Sequence, residues 1–397
     1  MSYSLRFNHY VVIDIMNPDR LNLKVRVYFF NLQYAEKDIL HFRRGGLALV
    51  SLTIDGQKTT VPVGTSILEA AKSLDIDIPN FCYDKDLTLA ASCRMCVVEV
   101  EGYRNLPPAC ATPAADGMVV HTESEKVIES RRMLLNLILA NHPQDCMVCE
   151  KTGDCRLQDY CYRYGVKETT FDGARKQFEI DSDNHLIERN QNKCILCGKC
   201  VRVCQEVQVT AAVDFVGRGF YTKVTTPFDL PLSLDMCRFC GQCIGVCPTG
   251  ALVNKQLKGS RPWEVKKVRT TCPFCGTGCN FDLNVKEGKV VGVTPNPKAP
   301  VNGRSLCVKG RFHSDLINSP DRITKPLIKR NGVFEEASWD EALSLVASKF
   351  SEIKEKDGSD AIAALSSARC VNEDNWVMQK FMRAVIGTNN VDHCART

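Results

Sequence analysis

Apolar and polar positions fall into legible periods only from about residue 50 onward. Val50, Leu52 and Ile54 alternate with polar neighbours, Asp55-Gly56 is the two-residue turn of a hairpin, and Thr59 to Val63 is the returning strand. Ser66-Ile67-Leu68-Glu69 opens a helix with a capping box, because a serine oxygen can accept the N–H three residues on. Val127, Met133, Leu134, Leu137 and Ile138 recur at helical spacing. Further on, Leu327 to Ala337 reads as a second hairpin turning at Asn331-Gly332, and Ser338-Trp339-Asp340-Glu341 caps a helix reaching about Lys356. Ala361 to Leu365 reads as a buried strand, and Asn372 to Ile386 as a helix stopped by Gly387. Residues 1–49 are patchy and aromatic-flecked, with neither period.

Composition narrows the class of molecule. The longest apolar runs, such as Met133 to Ala140, are too short to cross a bilayer, and the N-terminus has no signal-peptide core, so a cytoplasmic location is expected. The 51 basic and 46 acidic residues are mixed along the chain, which gives no support to nucleic-acid binding. In a reducing compartment 22 cysteines point to metal rather than to disulfides.

The cysteine spacing sorts into five groups. The most specific are Cys194-x2-Cys197-x2-Cys200-x3-Cys204 and Cys237-x2-Cys240-x2-Cys243-x3-Cys247-Pro248, the two-cluster ferredoxin pattern and the one internal repeat. In that pattern three close thiolates clasp one cubane and the fourth crosses over, so Cys247 completes the first cluster and Cys204 the second. Gly198 and Gly241 allow the tight backbone that turns N–H groups toward sulfur. Zinc is the competing reading, but its sites usually pair two short motifs across a longer spacer. Cys272-x2-Cys275-x3-Cys279-x27-Cys307 is a further 4Fe-4S set. Cys82-x10-Cys93-x2-Cys96-x13-Cys110 suits a 2Fe-2S centre on the loops of a β-grasp domain. The last group, Cys146-x2-Cys149-x5-Cys155, is one ligand short; His142 and Cys161 are the candidates to complete it. Cys161, Cys370 and Cys394 stay unassigned, with Cys370 expected in a buried core.

The long first gap of the Cys82 group resembles the ferredoxin domain of the large peripheral-arm subunit of respiratory complex I and of its hydrogenase and formate dehydrogenase relatives. Those relatives hold a 4Fe-4S cluster with one histidine and three cysteines, which implies His142 as the fourth ligand; Cys161, after Tyr160, fits packing better. Cys272-Pro273-Phe274-Cys275-Gly276-Thr277-Gly278-Cys279 and Cys307-Val308-Lys309-Gly310 resemble the N-terminal cluster domain of the molybdopterin oxidoreductases. That resemblance puts Lys309 between cluster and pterin, helping electrons pass. Asn389 to Thr397 resembles the formate dehydrogenase segment leading to the cysteine or selenocysteine that binds molybdenum or tungsten. The metal ligand is then expected immediately after Thr397, at a UGA codon read as a stop, with no catalytic residue inside this chain and no activity from it alone. Cys394 would be a structural neighbour of that metal.

The expected fold is α+β and multi-domain. Residues 1–49 would be a mistranslated upstream extension, because Arg43-Arg44-Gly45-Gly46 fits a ribosome-binding sequence and Val50 a GUG start. There follow a β-grasp 2Fe-2S ferredoxin-type domain (50–126), a histidine-ligated 4Fe-4S domain (127–166) and a two-cluster ferredoxin domain (185–260). A molybdopterin-oxidoreductase 4Fe-4S domain (265–321) and the start of an incomplete molybdopterin-binding α/β domain (322–397) complete it. The resemblance implies a formate dehydrogenase catalytic subunit carrying one 2Fe-2S cluster, four 4Fe-4S clusters and a molybdenum- or tungsten-bis-molybdopterin guanine dinucleotide. Its substrates would be formate and carbon dioxide, and its partner a flavin- and iron–sulfur-bearing NAD(P)-reducing subunit or a hydrogenase- or ferredoxin-type one. A complex I large subunit, an iron hydrogenase and a non-catalytic electron-transfer module remain the alternatives.

Overall fold

A computed structural model describes residues 9–13, 27–31, 48–233 and 235–394. The Arg43 to Gly46 stretch and Ala395 to Thr397 lie outside these residues. The chain divides into two compact units, Met1–Asp77 with Glu99–Thr122, and Ile78–Val98 with Glu123–Thr397.

In the first unit, β1 (His9–Ile13) pairs antiparallel with β2 (Val27–Asn31). No period announced this pair; its Val, Ile, Tyr and Phe content is what a strand prefers. A four-stranded sheet, ordered β4-β3-β6-β5, joins β3 (Leu49–Ile54), β4 (Gln57–Pro62), β5 (Glu99–Val100) and β6 (Val119–His121). Asp55 and Gly56 turn the β3–β4 hairpin with φ of 48° and 81°, the doubly left-handed turn that matches strand twist. Helix α1 (Ile67–Lys72) is capped by Ser66, whose Oγ accepts from the Glu69 N–H at 3.2 Å. Its Ile67, Leu68, Ala70 and Ala71 are buried, as are Leu52, Ile54 and Val120 of the sheet. The Ile67 and Leu68 N–H groups donate to the Thr112 and Ala109 carbonyls, which ties the loop carrying Cys110 to the start of the helix.

The second unit begins with α2 (Glu125–Leu139) and α3 (Arg156–Tyr164), which share a core of Phe81, Met95, Leu135, Leu157 and Tyr160. Arg131, fully buried on α2, donates through its two terminal nitrogens to the Tyr164 hydroxyl (2.7 Å), the Val97 carbonyl (2.9 Å) and Glu123 (2.9 Å), while its Nε is buried without a hydrogen-bond partner. A second core around Ile187, Val201, Val224, Phe239 and Phe312 gathers the two short helices α4 (Lys199–Arg202) and α5 (Gln242–Val246). Around them run the pairs β7 (Ile187–Arg189) with β10 (Leu252–Asn254), and β8 (Asp214–Val216) with β9 (Lys223–Thr225). A three-stranded antiparallel sheet follows, β11 (Lys266–Thr271), β12 (Asn280–Lys286) and β13 (Lys289–Pro295), then α6 (Val308–Phe312).

The hairpin of β14 (Leu327–Arg330) and β15 (Val333–Glu336) turns at Asn331 and Gly332, with φ of 49° and 86°. Ser338 caps α7 (Trp339–Asp357), accepting from the Glu341 N–H at 3.1 Å. The buried strand expected at Ala361 to Leu365 is instead the three-residue β16 (Ala364–Ser366), with Leu365 84% exposed. Of the expected strand only Ile362 is buried, in a core with Met382 and Ile386, because Ser359–Ala361 curls into a 3-10 turn. Helix α8 (Asn372–Phe381) continues into a wider turn at Met382–Ile386 that Gly387 closes, and β17 (Val391–His393) pairs in parallel with β16.

Candidate iron–sulfur sites

The ferredoxin-type runs are built by the same local backbone. Leu196 and Phe239 sit at φ of 55° and 48°, and Gly198 and Gly241 follow at 71° and 66°. These left-handed residues fold the chain over its own sulfurs, so the Leu196 N–H donates to Cys194 Sγ at 3.4 Å and the Phe239 N–H to Cys237 Sγ at 3.3 Å. Each glycine then starts a short helix, α4 or α5, that carries the third cysteine inward. All eight cysteines of both runs line one apolar cavity.

Within that cavity the neighbours cross between runs. Burial together with the nearby Cys197, Cys247, Cys194 and Cys243 thiols holds Cys200 protonated well above the ordinary thiol range. Cys243 is raised in the same way, by burial and by Cys240, Cys237 and Cys204. Burial pushes Cys194 up to about 12 and Cys197 up to about 11, with Cys247 beside both. An apolar pocket makes bare thiolates costly; iron would remove that cost by replacing the proton, so the donor set fits a cluster. Among the described residues no three His, Cys, Asp or Glu side chains meet as ligands of a single ion would. The fit therefore rests on the shared cavity and the crossed neighbours.

The fifth group lies against the three-stranded sheet, with Cys272 buried beside Phe281, Val293 and Leu306. Cys279 neighbours Cys272, Cys275 and Cys307. Cys275 is held below the usual thiol range by a 3.3 Å hydrogen bond with Thr277 Oγ1 and, more weakly, by Lys309. Lys309 itself is exposed on α6.

His142 follows α2 directly, its N–H donating to the Ile138 carbonyl at 3.1 Å. Its ring is 8% exposed, and Nδ1 is buried without a hydrogen-bond partner. Burial lowers its pKa to about 4, which keeps a neutral imidazole with a free lone pair, the form that binds metal. Cys146 and Cys155 both have Cys149 as a neighbour. Cys161 lies close to Cys155 and Cys146, yet it packs on the core of α2 and α3, where burial pushes its thiol up to about 12. Arg261 holds the ligand loop by donating to the carbonyls of Cys149 and Met147, the latter at 3.2 Å.

Of the first group, Cys82, Cys93 and Cys96 belong to the second unit and Cys110 to the first. Cys82, Cys96 and Cys110 are buried and Cys93 is half-buried. The Phe81 N–H points at Cys93 Sγ (3.5 Å), and a hydrogen bond shared with Cys82, together with burial, raises the Cys93 thiol. Cys370, expected in a core, is only half-buried, since it sits in the open turn after β16. Cys394 is exposed, 3.4 Å from Ser367 Oγ.

Spacing gave no hint of the cations between these loops. Lys193, next to Cys194, is nearly buried and reaches Asp145 at 3.0 Å in the His142 loop. Arg202 donates to the Cys82 carbonyl at 2.6 Å, and Arg311 to the Cys240 carbonyl at 2.7 Å. Arginine and lysine beside cysteine runs are ordinary in sequence, and only the fold shows which carbonyl each reaches.

Family models match the chain in series. They are a 2Fe-2S iron–sulfur cluster binding domain at 48–125, the NADH-ubiquinone oxidoreductase-G iron–sulfur binding region at 131–170 and the NADH-quinone oxidoreductase subunit 3 ferredoxin-like domain at 184–253. The molybdopterin oxidoreductase Fe4S4 domain matches 265–319, and the molybdopterin oxidoreductase model 322–397. The chain is 43% identical to a G-type NADH-quinone oxidoreductase subunit of Rhizobium meliloti, over 88% of this chain and 40% of that one. It is 41% identical to the NADPH-Fe(3+) oxidoreductase subunit alpha of Geobacter sulfurreducens, with the same coverage of 88% and 40%. A Staphylococcus aureus protein named provisionally as a formate dehydrogenase is 33% identical over 87% of this chain and 39% of that one. The chain thus spans about 40% of the length of these relatives. A chain of a solved NAD+-reducing NiFe hydrogenase is 32% identical with a TM-score of 0.48, covering 54% of this chain and 91% of that one. No helix among the described residues is long and apolar enough to cross a membrane.

Proposed function

We propose that this chain, an iron–sulfur electron-transfer module of the molybdopterin oxidoreductase family, carries five clusters and serves a formate dehydrogenase. The observation that carries the cluster reading is the crossing of neighbours in the ferredoxin cavity, Cys247 with Cys200 and Cys204 with Cys243. On this reading Cys194, Cys197, Cys200 and Cys247 hold one 4Fe-4S cluster and Cys237, Cys240, Cys243 and Cys204 a second. Cys272, Cys275, Cys279 and Cys307 hold a third, and His142, Cys146, Cys149 and Cys155 a fourth. Cys82, Cys93, Cys96 and Cys110 hold the 2Fe-2S cluster, an assignment that rests on spacing. When bound, the clusters supply one-electron chemistry, and a molybdenum- or tungsten-pterin supplies formate and carbon dioxide interconversion.

The residues of this chain bury or half-bury most of the sulfurs, Cys146 and Cys307 being exposed, aim N–H groups at several of them and place fixed cations between the loops. Lys309 would stand between that cluster and the pterin and help electrons pass. Electrons would leave through the Cys82 or His142 ends to a cytoplasmic partner subunit that reduces NAD(P), or to one of hydrogenase or ferredoxin type. Two measurements test the proposal. Anaerobic reconstitution of the chain should bring iron and sulfide for five clusters, with EPR signals of both nuclearities; a content fitting four isolated irons would refute it. The native protein, purified with its molybdenum or tungsten quantified, should reduce dye with formate.

A second reading has an observation of its own. Identity to the G-type NADH-quinone oxidoreductase relative is 43%, against 33% for the protein named as a formate dehydrogenase. A native protein that oxidises NADH or NADPH through a partner and ignores formate would select it.

A further inference from the structure

Arg311 is among the most deeply buried large side chains of the described residues, 2% exposed. It stands one helical turn beyond Cys307 on α6, its own N–H donating to the Cys307 carbonyl at 3.0 Å. From there it crosses to the second ferredoxin run, where its Nε donates to the Cys240 carbonyl at 2.7 Å. The slot that receives it is made by two glycines. A Cβ on Gly241 would overlap Arg311 Cδ, and one on Gly245 would stand 3.8 Å from both terminal nitrogens. Gly241 is the left-handed N-cap of α5, the helix that carries Cys243, and Gly245 lies within that helix. Arg311 Nη2 has no hydrogen-bond partner, and the ionisable groups facing the guanidinium are the thiols of Cys243, Cys240 and Cys307. Among the described residues no acidic side chain neutralises it there.

A buried, unneutralised guanidinium is expensive, and it is tolerated where negative charge is supplied. Arginine also stays protonated at every working pH, so its charge is permanent. A reduced cluster carries one more negative charge than an oxidised one, and a fixed cation nearby favours the reduced form.

We infer that Arg311 is a positioning residue that holds a permanent positive charge between the cluster of the Cys237 run and that of Cys272–Cys307, raising the midpoint potential of the Cys237-run cluster. The inference rests on the cluster reading above. The slot has a counterpart that supports it: where α5 has Gly245 and accepts an arginine from another domain, α4 has Arg202, which reaches out to the Cys82 carbonyl at 2.6 Å.

The test is an EPR-monitored redox titration of the reconstituted full chain, the signal being assigned by its loss in Cys237→Ala. Arg311→Gln should keep the iron content and lower the midpoint potential of that signal, whereas Arg311→Lys should stay near the wild-type value. Equal potentials in wild type and Arg311→Gln, or equal shifts in Gln and Lys, would overturn the inference. Should Arg311→Gln not take up iron, the double variant Arg311→Ala with Gly245→Arg returns a guanidinium to the emptied slot from the helix itself. A wild-type potential there supports the inference and a lowered one overturns it. Wild-type protein that takes up no clusters would refute the cluster reading instead, before any variant is made.

Discussion

The two ferredoxin runs share a backbone and differ in what they reach. Both fold over a sulfur through a left-handed residue, Leu196 or Phe239, and both begin a helix at a left-handed glycine. After the third cysteine they part. The first run passes from α4 into a wider turn at Val203–Val207 and sends Arg202 outward to the Cys82 loop. The second keeps its helix bare at Gly241 and Gly245 and takes Arg311 in from the Cys307 helix. What repeats is the backbone geometry around the cysteines, and what does not repeat is the side chain that chooses the neighbouring loop. A duplicated cysteine motif can in this way face two different neighbours, as a motif in the middle of the proposed relay would have to.

That comparison can be broken most completely at the crossing cysteines. Cys247→Ala should abolish the EPR signal of the first run, and Cys204→Ala that of the second; each mutation removing the signal of its own run would sink the crossed assignment. Next in size, Gly241→Ala puts a Cβ into Arg311 and Phe312 at a left-handed backbone position, and should destabilise the chain by about 2–3 kcal/mol in denaturant unfolding. Arg202→Ala should cost about 2 kcal/mol locally, because it leaves carbonyls of Cys82 and Thr88 without their charged donor. Hydrogen exchange should speed up in the Cys82 to Thr88 segment and stay unchanged at Cys240. The smallest effect is expected at Gly198→Ala, about 1 kcal/mol for the backbone alone. There the added Cβ meets only the Phe215 ring, at 3.0 Å, and that ring is half-exposed and can swing aside. Equal losses at Gly198 and Gly241 would mean that the slot has no energetic role.

A third setting separates the histidine group from both runs. In the iron-free chain His142 titrates near 4, below an unfolded histidine near 6.5, so the unfolded state takes up its proton first as pH falls. Stability from this burial is complete above about 6.5 and is lost progressively toward 4. His142→Leu should flatten that part of the pH profile, and a profile unchanged by the substitution would remove His142 from the buried position described.

Local chemistry was legible and long-range chemistry was not. Asn331-Gly332, Asp55-Gly56, Ser66 and Ser338 act within four residues of themselves, and the hairpins and helix starts they announce are present. The two cysteine runs carry their geometry inside each repeat in the same way. Arg311 meets Cys240 only because separate elements pack together, and a Gly-x3-Gly pair on a short helix is too common to name its occupant. The strand expected at Ala361 to Leu365 failed for a related reason: its apolar residues looked like a core strand, but a 3-10 turn takes up its start and Leu365 faces outward. Cys370 misled similarly, since a small apolar residue in a turn has the same composition signal as one in a core.

The proposed crossing of Cys247 and Cys204 would also impose an order in time. A chain emerging from the ribosome at ~5–20 residues per second displays Cys194, Cys197 and Cys200 several seconds before Cys247 exists. During that interval, with Cys204 kept for the other cluster, the first run would offer three of the four ligands of its own cluster and stand open to oxidation or to a stray metal. On the proposed assignment neither cluster would be finished until both runs are made, so the second run would act as the lid for the first.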